Sequence, residues 1–374
     1  MNVRDARPDE LADWDAMTVE AAGGHVYQSR AWAEHRRASG WSPRFVVTDD
    51  GGRVLALTRP WPMVGGSSAY LPRGPVAGAG GSEVQPAAVA DRQIAVSEAL
   101  ARDGVDVVAA DPEVPATERG YREAIREAGF RPMEEIQPSR HRVTLALVGG
   151  ADEDRVFEAI AKSTRQRIRG AERDGVTAIR YDNRHGGSGA GEGFIAPSEP
   201  SSEALNRFYD LLLETGERRH FSFGPRTGFV AWWLAALAAG HLIYLEARAG
   251  DESGAGQPLA GLIVYRHGGR LSTVHSGDHA AARTEHPGAL HLLRWRAIQL
   301  AIREGCSEMD LGGVDVAGAR GEPREGDPLY GLYQHKRAFG GRWLELTGAH
   351  ERVFDPRGYA LGRLAGRVVT LLRR

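Results

Sequence analysis

Cysteine is almost missing from this 374-residue chain: Cys306 stands alone, which excludes an internal disulfide and fits a reducing compartment. Lysine is nearly absent too, since only Lys162 and Lys336 are lysines among 47 basic residues. Arginine serves wherever any positive charge suffices. A lysine that persists against that bias offers something different: a compact ammonium on a flexible stem, able to reach one point in a pocket. No stretch approaches ~20 uninterrupted apolar residues, so a membrane-spanning helix is not expected. The 13 histidines have no paired metal-ligand spacing, and His-Glu-x-x-His does not occur. Net charge is also lacking: −2 at pH 7, with a pI near 6.7, gives no bulk attraction for polyanions. Any phosphate or nucleic-acid contact must come from local patches.

What is present belongs to a globular protein. Apolar residues make up 42% and charged residues 26%, enough for a large core and about two domains. The charged start, Met1 to Glu10, leads into a folded pattern without a secretory signal, so a cytoplasmic location is expected. Two basic patches stand out. Residues 162–173 carry five bases against one acid, and the tail from Arg357 to Arg374 carries five arginines and no acid. Both also read as solvated helix faces. Cys306, after Gly305 at a helix-to-strand turn, reads as small filler rather than a nucleophile.

Along the chain, helical patterns at 8–22 and 29–39 precede a hairpin, 44–48 and 54–58 around Asp49-Asp50-Gly51-Gly52. A strand runs into 69–72, followed by a Gly/Pro-rich loop at 74–86, a helix at 87–103, a strand at 105–110, a helix at 117–129 and a strand at 142–147. The second part repeats the grammar. Helices occupy 152–174, 201–219 and 226–239. Strands occupy 242–247, 259–265 and 271–274, a helix runs from 287 to 305, and a strand follows at 308–311. A Gly-rich insertion spans 183–193. Lys336 falls in an aromatic-flanked segment that reads as a tight turn. The order predicts an α/β (α+β) fold of two tandem domains, each a mixed, largely antiparallel sheet with flanking helices, and is similar to a doubled GNAT acyltransferase unit. The first domain is expected over 1–147, with 346–374 packing back on it, and the second over 148–345. No Gly-x-Gly-x-x-Gly follows a strand, which sets the order apart from a Rossmann domain.

Several motifs then fall in sequence. Gln28-Ser29, Trp32-Ala33-Glu34 and Gly40-Trp41 open the series, followed by Tyr70-Leu71-Pro72-Arg73-Gly74-Pro75-Val76 and Asp111-Pro112. Ser163, Arg165, Ile168, Arg169, Ala171-Glu172-Arg173 and Gly175-Val176 come next. Phe208-Tyr209, Thr215, Arg218 and Phe221 follow. Asp310-Leu311-Gly312-Gly313, Gly331, Tyr333, Lys336 and Phe339-Gly340-Gly341 complete it. Together these resemble the FemXAB family of aminoacyl-tRNA-dependent transferases that build peptidoglycan interpeptide bridges, in its compact form without a coiled-coil arm. The chain departs from that pattern at His335 and His275 and in the Gly-rich insertion.

The resemblance implies amide formation with no cofactor: an amine of a peptidoglycan precursor (lipid II or a nucleotide-linked pentapeptide) attacks the ester of aminoacyl-tRNA, in a cleft between the domains. Lys336 is the expected oxyanion stabiliser, also touching the tRNA end, and Asp111 the expected general base. Arg36 and Arg218 are expected to hold the acceptor diphosphate, with Arg73 and Arg219 as second choices and His275, His335 and Tyr333 lining the substrate region. Lys162, Arg165, Arg167 and Arg169 are the expected tRNA contacts. The tail 356–374 is an amphipathic helix that also suits peripheral contact with the inner membrane surface. Three other readings stay open: the same tRNA-dependent chemistry on a natural product, acyl-CoA-dependent N-acyl transfer, and a non-catalytic binding protein. The CoA reading is weakened because Arg167-x-x-Gly170-x-Glu172 fails the last position of the pyrophosphate loop.

Overall fold

The computed structural model describes residues 1–76, 85–137, 140–147, 151–184, 191–219, 222–250, 256–314 and 321–372. Most of the Gly-rich insertion and of the loop after Val76 lies outside them. The chain forms two compact units, Met1–His141 with Leu344–Arg374, and Arg142–Trp343.

The first unit begins with β1 (Val3–Asp5), α1 (Pro8–Ala12), α2 (Arg30–Ala38), β2 (Ser42–Thr48), β3 (Arg53–Pro60) and β4 (Ser67–Leu71). It continues with α3 (Pro86–Arg102), β5 (Val105–Ala110), α4 (Arg119–Glu127) and β6 (Arg131–Pro132). The second unit runs β7 (His141–Ala146), α5 (Glu153–Ala159), α6 (Lys162–Arg173), β8 (Thr177–Tyr181), α7 (Ser201–Arg219), α8 (Arg226–Ala238) and β9 (Leu242–Arg248). Then come β10 (Pro258–His267), β11 (Arg270–Asp278), α9 (Ala282–Glu285), α10 (Ala289–Arg303), β12 (Glu308–Asp310), α11 (Tyr330–Arg337) and β13 (Arg342–Glu345). The chain finally returns to the first unit with β14 (His350–Val353) and α12 (Pro356–Leu372).

Each unit holds one seven-stranded sheet. The orders are β1-β2-β3-β4-β5-β14-β6 and β13-β7-β12-β11-β10-β9-β8. In each, an antiparallel meander leads by a helical crossover into a parallel neighbour. The α3 crossover sets β4 beside β5 with Leu71 opposite Ala110, and α10 sets β11 beside β12 with Ser272 opposite Asp310. The parallel strand is then closed by an antiparallel partner from elsewhere in the chain, β14 on β5 and β7 on β12. The strand expected to end the first domain, 142–147, therefore belongs to the second sheet.

Local chemistry explains the elements. Ser29 caps α2 by accepting from the Trp32 N–H at 3.0 Å. Pro86 opens α3, where its missing N–H costs nothing. The expected helix 8–22 is instead two pieces, α1 and a π-helical turn over Ala16–Glu20. The Thr18 hydroxyl bonds back to the Trp14 carbonyl and also to that of Gln28, and Trp14 Nε1 donates to the same Gln28 oxygen. Those side-chain bonds compete with a regular helix. The short strands β1, β6, β8, β13 and β14 were not anticipated, because two to five residues carry too little alternation to register. Among the described residues no helix is long and apolar enough to cross a membrane.

The second core centres on α10, where Leu292, Leu293, Ala297, Ile298 and Ala301 are buried against β9 to β12. Its start is pressed against α6. A Cβ at Gly288 would lie 2.1 Å from the Arg167 carbonyl oxygen and 2.9 Å from the Ala171 methyl. Gly288→Ala should therefore wedge two helices apart at a cost of about 3 kcal/mol. Thermal unfolding of the variant should show a drop of roughly 6–12 °C, and a drop under ~2 °C would refute the tight crossing.

Candidate active site

Chemistry-bearing residues gather at the same place in each sheet, the C-terminal end of the parallel pair. In the first unit β5 hands over to Asp111, which is 1% exposed. Both its carboxylate oxygens accept from the Tyr70 hydroxyl at 2.9 Å, and Oδ1 accepts the Arg73 N–H at 2.7 Å. The Arg73 guanidinium lies 3.7 Å from Oδ2. Burial pushes the Asp111 carboxyl up to about 6, although the Arg73 charge, the Arg73 N–H and the Tyr70 hydroxyl all pull it down. Arg73 has φ +49°, a left-handed conformation held by that bond to its amide. Gln28 fixes the same corner: its side chain donates to the Pro72 carbonyl at 2.7 Å and accepts the Leu55 N–H at 2.8 Å. The opening motif is thus a clamp rather than a ligand. Arg36 is bracketed by the Trp32 and Trp41 rings at 5.4 Å each, and its buried Nε has no hydrogen-bond partner among the described residues.

In the second unit Lys336 sits in the last turn of α11, not in the tight turn expected; the reversal comes four residues later at Gly340, φ +90°. It is 5% exposed, and its Nζ donates to the Gly313 carbonyl just past β12. Gly312 makes that approach feasible. Its φ is +79°, and a Cβ there would stand 2.7 Å from the Thr273 carbonyl and 3.3 Å from Lys336 Nζ. Asp310 accepts the Gly312 N–H at 2.7 Å. The neighbouring strand β11 carries a bulge, with Ile263 facing His275 and Val264 facing Thr273. Bulges re-aim side chains beside sites.

His275 is half-buried among Phe229, Trp233 and Phe223, at ring distances of 5.6, 5.8 and 6.1 Å. Burial pushes it down to about 4, so it is neutral at pH 7. His335 packs edge-on against His291 at 4.6 Å and against Phe339 at 5.4 Å. Burial, then Arg294, hold it at about 2. Tyr333 is buried with its hydroxyl bonded to Glu322 and its ring 5.7 Å from Trp343. On α6, Lys162, Arg167 and Arg169 are exposed and Arg165 half-buried. Arg218 donates to Asp278 Oδ1 at 2.5 Å and to Glu214 at 2.8 Å, so two carboxylates already neutralise it. The side chain of Arg219 and all of Phe221 lie outside the described residues. Burial and Glu304 push the Cys306 thiol up to about 11, which keeps it protonated.

Four side chains were not singled out by sequence reasoning: Tyr70 as the partner of Asp111, His291 against His335, and Arg294 with Ser276. Arg294 had a legible signal, a cation inside the apolar run Leu292-Leu293-Arg294-Trp295.

Residues 160–337 match the family model for the acetyltransferase (GNAT) domain. No curated protein matches the chain. Among solved structures the chain is similar to FemX, with a TM-score of 0.74 and 16% identity over 96% of this chain and 99% of that one. It is also similar to a conserved protein of unknown function from Bacteroides thetaiotaomicron VPI-5482, with a TM-score of 0.51 and 14% identity over 94% and 98%. The likeness establishes a FemX-like fold of two mixed α/β sheets, as the motifs implied. The GNAT domain match over residues 160–337 supports a transferase of the acyltransferase class.

Proposed function

We propose that this protein moves an amino acid from aminoacyl-tRNA to an amine of a peptidoglycan precursor bearing a diphosphate, and acts in the cytoplasm. The observation that carries the reading is Lys336, a buried ammonium held at the end of β12 beside a forced glycine, in the same unit as a basic helix. The amine nitrogen forms a bond to the ester carbonyl carbon, charge collects on the carbonyl oxygen, and the bond to the ribose oxygen breaks. Lys336 meets the oxyanion, where one donor in a dry site contributes ~10²–10³ in rate. The amine's proton passes to Asp111, whose raised pKa suits a base, by way of Tyr70. The same proton then returns by way of Tyr70 to the ribose oxygen, which leaves as a hydroxyl and restores the Asp111 carboxylate. Arg36, without a carboxylate hydrogen-bond partner among the described residues, suits the acceptor diphosphate better than the neutralised Arg218. The exposed bases of α6 suit tRNA phosphates. Since the ester is already activated, neither ATP nor a metal enters the transfer.

A second reading, acyl-CoA-dependent transfer, is favoured by the GNAT domain match. Against it stands the Arg167 carbonyl, an acceptor lying against the first residue before α10, where a pyrophosphate would need donors. The two are separated by incubating the protein with a pool of charged tRNAs and a nucleotide-linked pentapeptide. A mass increase of one amino-acid residue on the peptide, lost after RNase treatment, is expected. RNase-resistant transfer from an acyl thioester would establish the second reading instead.

A further inference from the structure

We infer that Arg294, with His335 and Ser276, forms a binding site for a single phosphodiester at the end of the nucleic-acid donor. The inference rests on the tRNA-dependent reading and names where that donor's last phosphate enters. Arg294 lies in the second turn of α10 and is 4% exposed. Its Nη2 reaches Ser276 Oγ at 3.4 Å, while its buried Nε and Nη1 have no partner among the described residues. Other buried arginines of this unit are treated differently. Arg266 is paired with Asp182 and Glu304, and Arg248 with Glu246 and Glu199. A guanidinium taken out of water without a counter-charge is strongly disfavoured, so an anion is required to complete it.

The surroundings select that anion. The His335 ring, edge-on to His291 at 4.6 Å, has a buried Nε2 with no partner among the described residues. Burial depresses Arg294 to about 10 with no acid opposing it. The groups whose charge acts on His335 are Arg294, His291, Lys336 and Arg167, none of them acidic. Neutral histidines add hydrogen bonding without adding charge, so the group that fits one guanidinium is a monoanion. Arg167 belongs to the exposed basic face of α6, and Lys336 is the residue after His335. Positive potential therefore continues from a surface helix through Arg294 to the proposed oxyanion donor. That continuity matches the end of a polyanion rather than an isolated carboxylate.

The test is calorimetric titration of the whole protein with the dinucleotide CpA, which carries one phosphodiester, with adenosine and with acetate. CpA should bind at least tenfold more tightly than adenosine. Arg294→Met should weaken CpA at least tenfold, to the adenosine level, and reduce the log–log salt slope by ~0.7. Its melting temperature should be unchanged or higher. His335→Phe, which preserves ring packing on Phe339, should also weaken CpA if Arg294→Met fails to fold. Equal binding of CpA and adenosine to the wild type, unchanged CpA binding in the variants, or equal displacement of CpA by acetate would each overturn the site. Those results leave tRNA-dependent transfer by the wild type intact. Conversely, selective CpA binding by a protein inactive in transfer supports the site and rejects the reaction.

Discussion

Replacing Lys336 with methionine should lower kcat for aminoacyl transfer by about 10²–10³ and leave KM for both substrates within a few-fold. Methionine keeps the apolar stem that α11 buries and deletes only the ammonium. The loss should fall on kcat because charge appears on the carbonyl oxygen as the transition state is approached. Lys336→Arg should fail to rescue, although it retains the charge. Nζ already stands where a single Cβ on Gly312 would crowd it at 3.3 Å, so a planar fork has no room to turn. Single-turnover kinetics with one charged tRNA read both numbers. A methionine variant within threefold of wild type, or an arginine variant of full activity, removes Lys336 from the chemistry.

Asp111→Asn should cost about 10²–10⁴ in kcat and abolish the acid limb of the pH profile. Burial raises the carboxyl to about 6, so the wild type should lose rate as pH falls through about 6, roughly tenfold per unit below it. The sign follows from the role: a base works only when unprotonated, and a raised pKa moves the loss toward neutrality. Asparagine cannot titrate, so its residual activity should be flat from pH 5 to 7. Tyr70→Phe should reproduce part of the defect, because Asp111 is sealed from solvent and its carboxylate is in contact with the Tyr70 hydroxyl. An unshifted pH limb in Asp111→Asn would identify Asp111 as a brace for the left-handed Arg73 corner only.

Much of this was legible beforehand, for reasons that differ from residue to residue. The strand 105–110 was readable to the residue because it is apolar but for Asp106 and bounded by Gly104 and Asp111. α7, 201–219, was equally clear from its long helical period. Lys336 was singled out by composition alone, yet its helix was read as a turn because Gly340 and Gly341 dominated the segment. Arg218 illustrates the opposite limit. Its motif was visible, but the two carboxylates that neutralise it come from Glu214 one helical turn away and from Asp278 sixty residues on. Arg294 was overlooked because a single cation in an apolar helix also reads as a residue whose stem lies along the surface. Only three-dimensional packing reveals which arginines lack an acid.

The late return of β14 fixes an order of assembly on the ribosome. By the time Thr347 is added, the strands of the second sheet have been made, while the first still lacks the strand that lies between β5 and the two-residue β6. The unit synthesised first is thus the one finished last, and its incomplete edge must await His350–Val353. A chain stopped after Thr347 should yield a protease-resistant fragment from the later-made half and rapid digestion of the earlier one.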